Sequence, residues 1–264
     1  MRPEQRSAAT RQPPPTEGRD TVINHDALVL AAQNLDPLSP TAVRLSQLFS
    51  DDEWDVADVI EVVSFDAPMT ARILRCANSA LWGGAGKVGT LEDAIARIGS
   101  RVVVRIAVGV AVRGTMSIAI PHLGAPEGEL WRHDVAAAVV TEMIPLVTRR
   151  SIAPEAFTAS LLHDIGRVIM YQQVAPKTMR MIEAARRAGE SSVQAERTIF
   201  GADHGEIGAL VAQAWHLPET LVHAIRLHEE PTEAPDHRAR EICDIVKVAD
   251  AGARKLGFQC GEPF

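Results

Sequence analysis

The segment Leu161-Leu162-His163-Asp164-Ile165 places a histidine directly before an aspartate inside an apolar helical run. Side chains at successive helical positions diverge by about 100°, so both can be buried only around a polar object such as a metal ion. The alternative is a buried ion pair, for which Arg167 is the nearest cation. We favour the metal, because two adjacent metal-binding side chains seldom arise from core packing alone.

Four further imidazole and carboxylate groups lie on separate helical patterns: His133, His204, His228 and Asp250. Taken alone, His133 and His204 have ordinary core or surface explanations, and His228 could act as a cation near a helix end. Asp250 follows apolar residues, where burial without a cation is costly. Together with His163 and Asp164 they predict one or two first-row divalent ions, of which we expect iron or manganese, in preference to calcium or a thiolate-bound zinc.

The composition describes a globular protein whose partners are neither nucleic acids nor membranes. The 264 residues are 46% hydrophobic and carry a formal charge of −7, whereas proteins that bind the nucleic-acid backbone concentrate Lys and Arg. Three cysteines are too few and too scattered for a disulfide framework. No window approaches the roughly 18 apolar residues of a membrane span, so we expect a cytoplasmic protein.

The elements that must position these residues are predicted to be helices. Residues 1–24, which include Pro13-Pro14-Pro15, predict a disordered tail. Residues 25–118 predict an N-terminal helical subdomain, with short amphipathic helices that begin at Ser39, Asp55, Asp66 and Thr90. The β-branched stretch from Arg101 to Arg113 is ambiguous by periodicity. We interpret it as a helix, because it exceeds about 10 residues and no partner strand is indicated.

Residues 119–264 predict a second helical subdomain, which carries the candidate metal site. Helix starts at Pro154, Pro218 and Asp236 precede His163, His228 and Asp250 in that order. Two capping-box patterns occur between them, Ser191 with Gln194 and Asp203 with Glu206. The predicted fold class is therefore all-α, a small N-terminal helical bundle packed against a C-terminal one.

The order His, His-Asp, Asp resembles the HD superfamily of metal-dependent phosphohydrolases, and the flanking segments resemble one branch of it more closely. That branch is the HDOD domain, the HD-related output domain of bacterial signalling proteins. The segments that carry the resemblance are Leu38–Pro40, Asp66–Leu74, Ala77–Ala80, Ala94–Gly99, Leu161–Gly166, Phe200–Ala209 and Trp215–Pro218. They span roughly residues 33–256 and imply an HD-like C-terminal bundle.

The resemblance implies one of two functions. HDOD domains mostly lack demonstrated phosphohydrolase activity, which implies a regulatory module that binds other signalling proteins, with a divalent metal or a nucleotide as a further ligand. The related HD-GYP group cleaves cyclic di-GMP, and its ligand pattern carries over onto all six candidates. Two positions depart from that group: Leu227 stands where it has the first histidine of a His-His pair, and Glu229-Glu230-Pro231 replaces Gly-Tyr-Pro. We therefore expect the regulatory module, with a phosphohydrolase acting on a nucleotide or cyclic dinucleotide as the alternative.

For the enzymatic alternative, the resemblance makes Asp164 and Arg167 the catalytic residues. Asp164 would bridge two ions in a metal-assisted hydrolysis. Arg167, which replaces a lysine of the HD-GYP group, would stabilise phosphate charge, since a guanidinium can hold a phosphate through two hydrogen bonds.

Overall fold

The computed structural model describes residues 25–48, 50, 54–83, 86–120, 125–172, 174 and 176–260. The predicted tail, residues 1–24, lies outside them. Within these ranges no β-strand occurs, and the β-type pairing consists of one isolated antiparallel bridge between Ile120 and Ala125. The all-α prediction is confirmed. None of the helices in the described ranges has both the length and the hydropathy needed to cross a membrane.

The first half of the chain folds into short helices whose starts agree with the capping residues of the sequence. They are α1 (His25–Gln33), α2 (Pro40–Leu48), α3 (Val56–Ser64), α4 (Ala67–Ala77), α5 (Leu91–Ile98) and α6 (Ser100–Met116). Asp55, Asp66 and Thr90 each accept backbone N–H groups of the following turn through their side chains. The stretch with doubtful periodicity is the helix α6, and its valines face the core because they pack between both halves of the molecule.

Within the described ranges, the second half contains eight further α-helices, and three of these carry predicted ligands. The helices are α7 (Glu129–Thr148), α8 (Glu155–Leu162), α9 (Ile165–Gln172), α10 (Pro176–Arg187), α11 (Ser192–Phe200), α12 (His204–Ala214), α13 (Glu219–Leu227) and α14 (His237–Lys255). The capping boxes at Ser191 and Asp203 are both formed, and Asp236 caps α14.

Helices α7 and α14 pack along each other, α8 contacts both, and α12 lies between α9 and α13. The crossing of α9 and α12 requires glycine, because a Cβ atom on Gly166 would lie 1.9 Å from the carbonyl oxygen of His204. Helix α6 contacts helices of both halves, whereas α1 packs against α12 and α9. One apolar core therefore runs from Leu28 to Val246, and the subdomain boundary at residues 118–119 stays a prediction.

Candidate metal centre

The structure brings all six predicted ligands together in one buried centre. They come from α7 (His133), the turn between α8 and α9 (His163 and Asp164), the first residue of α12 (His204), the residue after α13 (His228) and α14 (Asp250). Each is at most 3% exposed. The exposed surface positions that were an alternative explanation for His133 and His204 are thereby excluded.

Two of the histidines follow helix ends and fold back onto their own helices. His163 and His228 are the C-cap residues of α8 and α13. Each Nδ1 atom lies 2.8 Å from the carbonyl oxygen three residues earlier, that of Ser160 and of Ile225. A carbonyl oxygen only accepts, so Nδ1 carries the proton. In the neutral ring the lone pair is therefore on Nε2, which points into the centre.

The other two histidines have the same tautomer for a different reason. His133 Nδ1 donates to the carbonyl oxygen of Phe258 at 2.8 Å, and His204 Nδ1 donates to Glu196 Oε2 at 2.6 Å. Burial alone would raise the pKa of Glu196, but His204, together with Arg167 and Tyr171, lowers it to about 2, so this carboxyl is ionised. All four histidines thus present Nε2 as a ligand atom.

Four atoms of the six predicted ligands are buried without a hydrogen-bond partner in the described residues: His133 Nε2, His163 Nε2, Asp164 Oδ2 and Asp250 Oδ1. His133 Nε2 lies 3.1 Å from Asp250 Oδ1 and 3.8 Å from Asp164 Oδ2. His163 Nε2 lies 3.8 Å and 3.6 Å from the same two oxygens. Because buried polar atoms are costly when unsatisfied, and because imidazoles with carboxylates suit first-row metals, this set fits one divalent ion.

A second set of atoms lies on the other side of Asp164. His204 Nε2 is 3.1 Å from His228 Nε2 and 3.6 Å from Asp164 Oδ1. Two nitrogen lone pairs at this distance repel each other unless a proton or a cation lies between them. However, Asp164 Oδ1 already accepts a hydrogen bond of 2.7 Å from Arg167 Nε. This set therefore offers fewer free ligand atoms than the first.

The ion pair that was the alternative to a metal is also present. Burial alone would raise the pKa of Asp164, yet Arg167 and then His163 hold it well below its usual range. Burial alone would lower the pKa of His163, but in the absence of a cation Asp164, together with Asp250 and Asp134, raises it to about 10, so a proton occupies this ring. A cation that binds here displaces that proton. Arg167 thus satisfies one oxygen of Asp164 and leaves Oδ2 for the centre.

Sequence reasoning did not select two carboxylates that the structure places at the centre. Asp134 is fully buried, and neither of its oxygens has a hydrogen-bond partner, although Oδ1 lies 3.3 Å from His163 Nδ1. A signal for Asp134 was available, since His133-Asp134 is a second His-Asp pair in the chain. Glu196 has no comparable signal, because it lies eight residues before His204 on another helix.

The fold and the site define a helical protein with an HD-like centre of histidines and aspartates. A family model of the HDOD domain matches residues 35–231, and the chain belongs to this family. The matched range ends before Asp250, so this candidate ligand lies on a helix beyond the range.

Two solved structures illustrate the similarity. An HDOD domain protein of unknown function from Geobacter sulfurreducens is 22% identical, with a TM-score of 0.69 over 90% of this chain and 82% of that one. A protein from Shewanella amazonensis SB2B to which phosphohydrolase activity is ascribed is 27% identical, with a TM-score of 0.65 over 88% and 82%.

A curated relative from Treponema pallidum (strain Nichols) is 21% identical over 204 residues. These residues are 74% of this chain and 37% of that protein. The chain thus spans little more than a third of that relative's length.

Proposed function

We propose that this protein is a regulatory signalling module in which a buried divalent metal ion holds several helices in a fixed arrangement. The observation that supports this function best is the convergence of four buried atoms without hydrogen-bond partners in the described residues, from His133, His163, Asp164 and Asp250. A ligand set supplied entirely by buried side chains is typical of a structural metal site, whereas catalytic sites keep an open position.

The metal would join α7, the α8–α9 turn and α14, which are separate in sequence but adjacent in the fold. Burial and the negative charge of Asp164, which repels the Asp250 carboxylate, both act to raise the pKa of Asp250, and His133 and His163 hold it below its usual range. A divalent ion removes this repulsion, and its binding free energy adds to the stability of the fold. The surfaces of these helices would then be held in the geometry that other signalling proteins recognise.

Metal-dependent phosphohydrolysis is the second candidate function. It is favoured by the similarity to the Shewanella amazonensis protein and by the second set of atoms at His204 and His228. A bound divalent metal supplies a Lewis acid and lowers the pKa of coordinated water. Arg167 would orient a phosphate group of the nucleotide or cyclic dinucleotide substrate. Two features favour the regulatory function instead. Arg167 already donates a hydrogen bond to Asp164 Oδ1, and Leu227 stands where the HD-GYP group has a histidine.

The test is metal content by mass spectrometry on the full chain purified without chelator under low oxygen. A double variant, His163→Ala with Asp164→Ala, removes ligands from both sets. The matched control is His223→Ala with Asp244→Ala, because both side chains are partly exposed and lie outside the centre. We expect about one equivalent of iron or manganese per chain in the wild type and the control, and none in the ligand variant.

Hydrolysis of cyclic di-GMP is assayed on the same preparations. About two equivalents of metal, with hydrolysis that the ligand variant abolishes, would replace the regulatory proposal with the enzymatic one. A wild-type protein without metal under these conditions would contradict both.

A further inference from the structure

We propose that helices α7 and α14 form the contact surface of a homodimer, in which a second copy of this chain packs against their solvent-facing side. Large apolar side chains are exposed there, and we call the surface that they form the outer face: Val139, Met143, Leu146 and Val147 on α7, and Val248 on α14. The proposal does not depend on the metal centre, because His133 and Asp250 are buried on the opposite side of the same two helices.

The exposed apolar residues of α7 form one ridge. Val139, Met143, Leu146 and Val147 are separated by four, three and one positions, a spacing that places them on one side of a helix. Leu146 and Val147 are 79% and 80% exposed. The ridge and Val248 together expose roughly 500 Å² of apolar surface, as much as the largest apolar patch of a typical monomer, and such patches commonly mark binding surfaces.

A groove lies beside the ridge, between the C-terminal half of α7 and the N-terminal half of α14. Its volume is about 460 Å³, and its apolar lining includes Ile144, Ile152, Ile245 and Val248. Ile144 belongs to the same helix as the ridge, and Val248 belongs to both the groove and the exposed patch. The outer face therefore combines a projecting ridge with a recess that can receive several aliphatic side chains.

A ridge and a groove on one face are what a two-fold dimer requires. In such a dimer both chains use the same patch, and a residue of one chain contacts a different residue of the other. The ridge of each copy can therefore fill the groove of the other. A single amphipathic helix from another protein would fill the groove but leave most of the ridge in water, so a second copy is the better match.

The charges at the groove also favour a second copy. Arg150 and Arg240 line it together with Glu241 and Asp244, so a two-fold copy can bring groups of opposite sign together. Two chains that each carry a formal charge of −7 repel each other, and this repulsion is smallest where the local charges are balanced. An anionic lipid surface is a poorer match, because it attracts clusters of Lys and Arg.

The area of the outer face is sufficient for a specific dimer. A stable interface buries about 800 Å² on each partner. The exposed apolar residues supply more than half of this area, and the charged residues at the groove supply a polar rim of the kind that protein interfaces have.

The test is sedimentation velocity of the full chain at micromolar to submillimolar concentrations. The variant is Leu146→Glu, and the matched control is Leu81→Glu, because Leu81 is 83% exposed but lies in the first half of the chain. We expect the wild type and the control to form a species of twice the mass of the chain. Leu146→Glu should weaken this dimer by about a hundredfold or more, because the two-fold axis places each change in the interface twice.

Val147→Glu provides a second variant with the same expected loss, and circular dichroism verifies that each variant is folded. The proposal is overturned if the wild type stays monomeric at the highest concentration. The outer face would then be left to another protein or to a lipid surface, and flotation with phosphatidylglycerol vesicles would detect the second of these. A dimer that persists unchanged in both folded variants, or that the control weakens equally, would also overturn it, because the chains would then associate through a different surface.

Discussion

Glu196 connects the second set of ligand atoms to the protein around it. It is fully buried and accepts hydrogen bonds from Tyr171 Oη at 2.6 Å and from both His204 Nδ1 and the His204 backbone N–H. A carboxylate can accept all three, because it has two oxygens and no proton. Glu196 is thus the residue that orients His204 and fixes its tautomer.

We predict that Glu196→Gln lowers the free energy of unfolding by about 3 kcal/mol. The amide retains the size of the side chain but has one acceptor oxygen, and its NH₂ group would face N–H donors. Urea denaturation followed by circular dichroism measures the change. Glu190→Gln is the control, because Glu190 is exposed, and it should have no measurable effect; equal losses in both variants would contradict the assigned role.

The pKa of Asp134 is shifted in the opposite direction to that of Glu196. Burial, as the largest cause, raises its pKa to about 8, while in the unfolded chain an aspartate titrates near pH 3.9. The folded metal-free protein therefore holds a proton that the unfolded chain releases, and stability is lost as pH rises from about 4 to about 8.

We predict that Asp134→Asn flattens this part of the stability profile in chelator-treated protein. The variant and the wild type should have similar stability near pH 4, and the variant should become the more stable one as pH approaches 8. Urea denaturation at a series of pH values measures the difference. A difference that does not grow with pH would show that Asp134 is ionised in the folded state.

At the scale of elements, the crossing of α9 and α12 determines how Asp164 meets His204. A Cβ atom on Gly166 would lie 1.9 Å from the carbonyl oxygen of His204 and 2.7 Å from the amide nitrogen of Gly208. These are backbone atoms, which cannot rotate away. The two helices approach so closely because both have glycine at the contact.

We predict that Gly166→Ala costs about 3 kcal/mol of stability or more, because α9 must move away from α12. Gly114→Ala is the matched control in helix α6, where no atom lies within 4 Å of the added methyl group. That change should stabilise the protein by about 0.5–1 kcal/mol. Thermal and urea unfolding of both variants measure the contrast, and a tolerated Gly166→Ala would exclude the close approach.

The residues that follow α14 contact the centre through a backbone carbonyl group. Gly257 has a φ of +89°, and the Phe258 N–H donates to the carbonyl oxygen of Ala253 at 3.0 Å, which is the pattern of a Schellman motif. The chain thereby reverses, and the Phe258 carbonyl oxygen reaches His133 Nδ1.

We predict that truncation after Gly257 accelerates metal release to a chelator by about tenfold, because His133 loses the acceptor that orients it. Truncation after Cys260 keeps that acceptor and is the control. Release is followed by the absorbance of a metallochromic chelator. Identical release rates for the two truncations would show that Phe258 does not support the ligand.

At the scale of the whole molecule, one continuous apolar core argues for a single unfolding unit. The core includes residues of α1 through α14, and α6 contacts helices in both halves. Two halves that share a core lose their stability together.

We predict one cooperative transition for the full chain. Far-UV circular dichroism and tryptophan fluorescence should give coincident urea curves, because Trp54 and Trp82 report on the first half and Trp131 and Trp215 on the second. Chelator should shift both curves to lower urea together. Separate transitions for the two probes would instead support two independent subdomains divided near residue 118.

Much of the helical architecture could be predicted from the sequence because its causes are local. Asp55, Asp66, Thr90, Ser191 and Asp203 cap helices by hydrogen bonds to groups two or three residues away. The six candidate ligands could also be selected from the sequence, since adjacent His163 and Asp164 are hard to explain otherwise and the order of the rest resembles a known family.

The tertiary structure decided which atoms of those residues remain free. Three hydrogen bonds depend on how the helices cross. Arg167 donates to Asp164 Oδ1, His204 donates to Glu196, and His133 donates to Phe258, which is 125 residues away. Periodicity determines the face of a helix that is buried, but the rotation and distance between two helices come from packing of side chains over the whole core. The sequence by itself therefore determined the helices and the candidate ligands, and only the packed fold decided how each ligand is oriented.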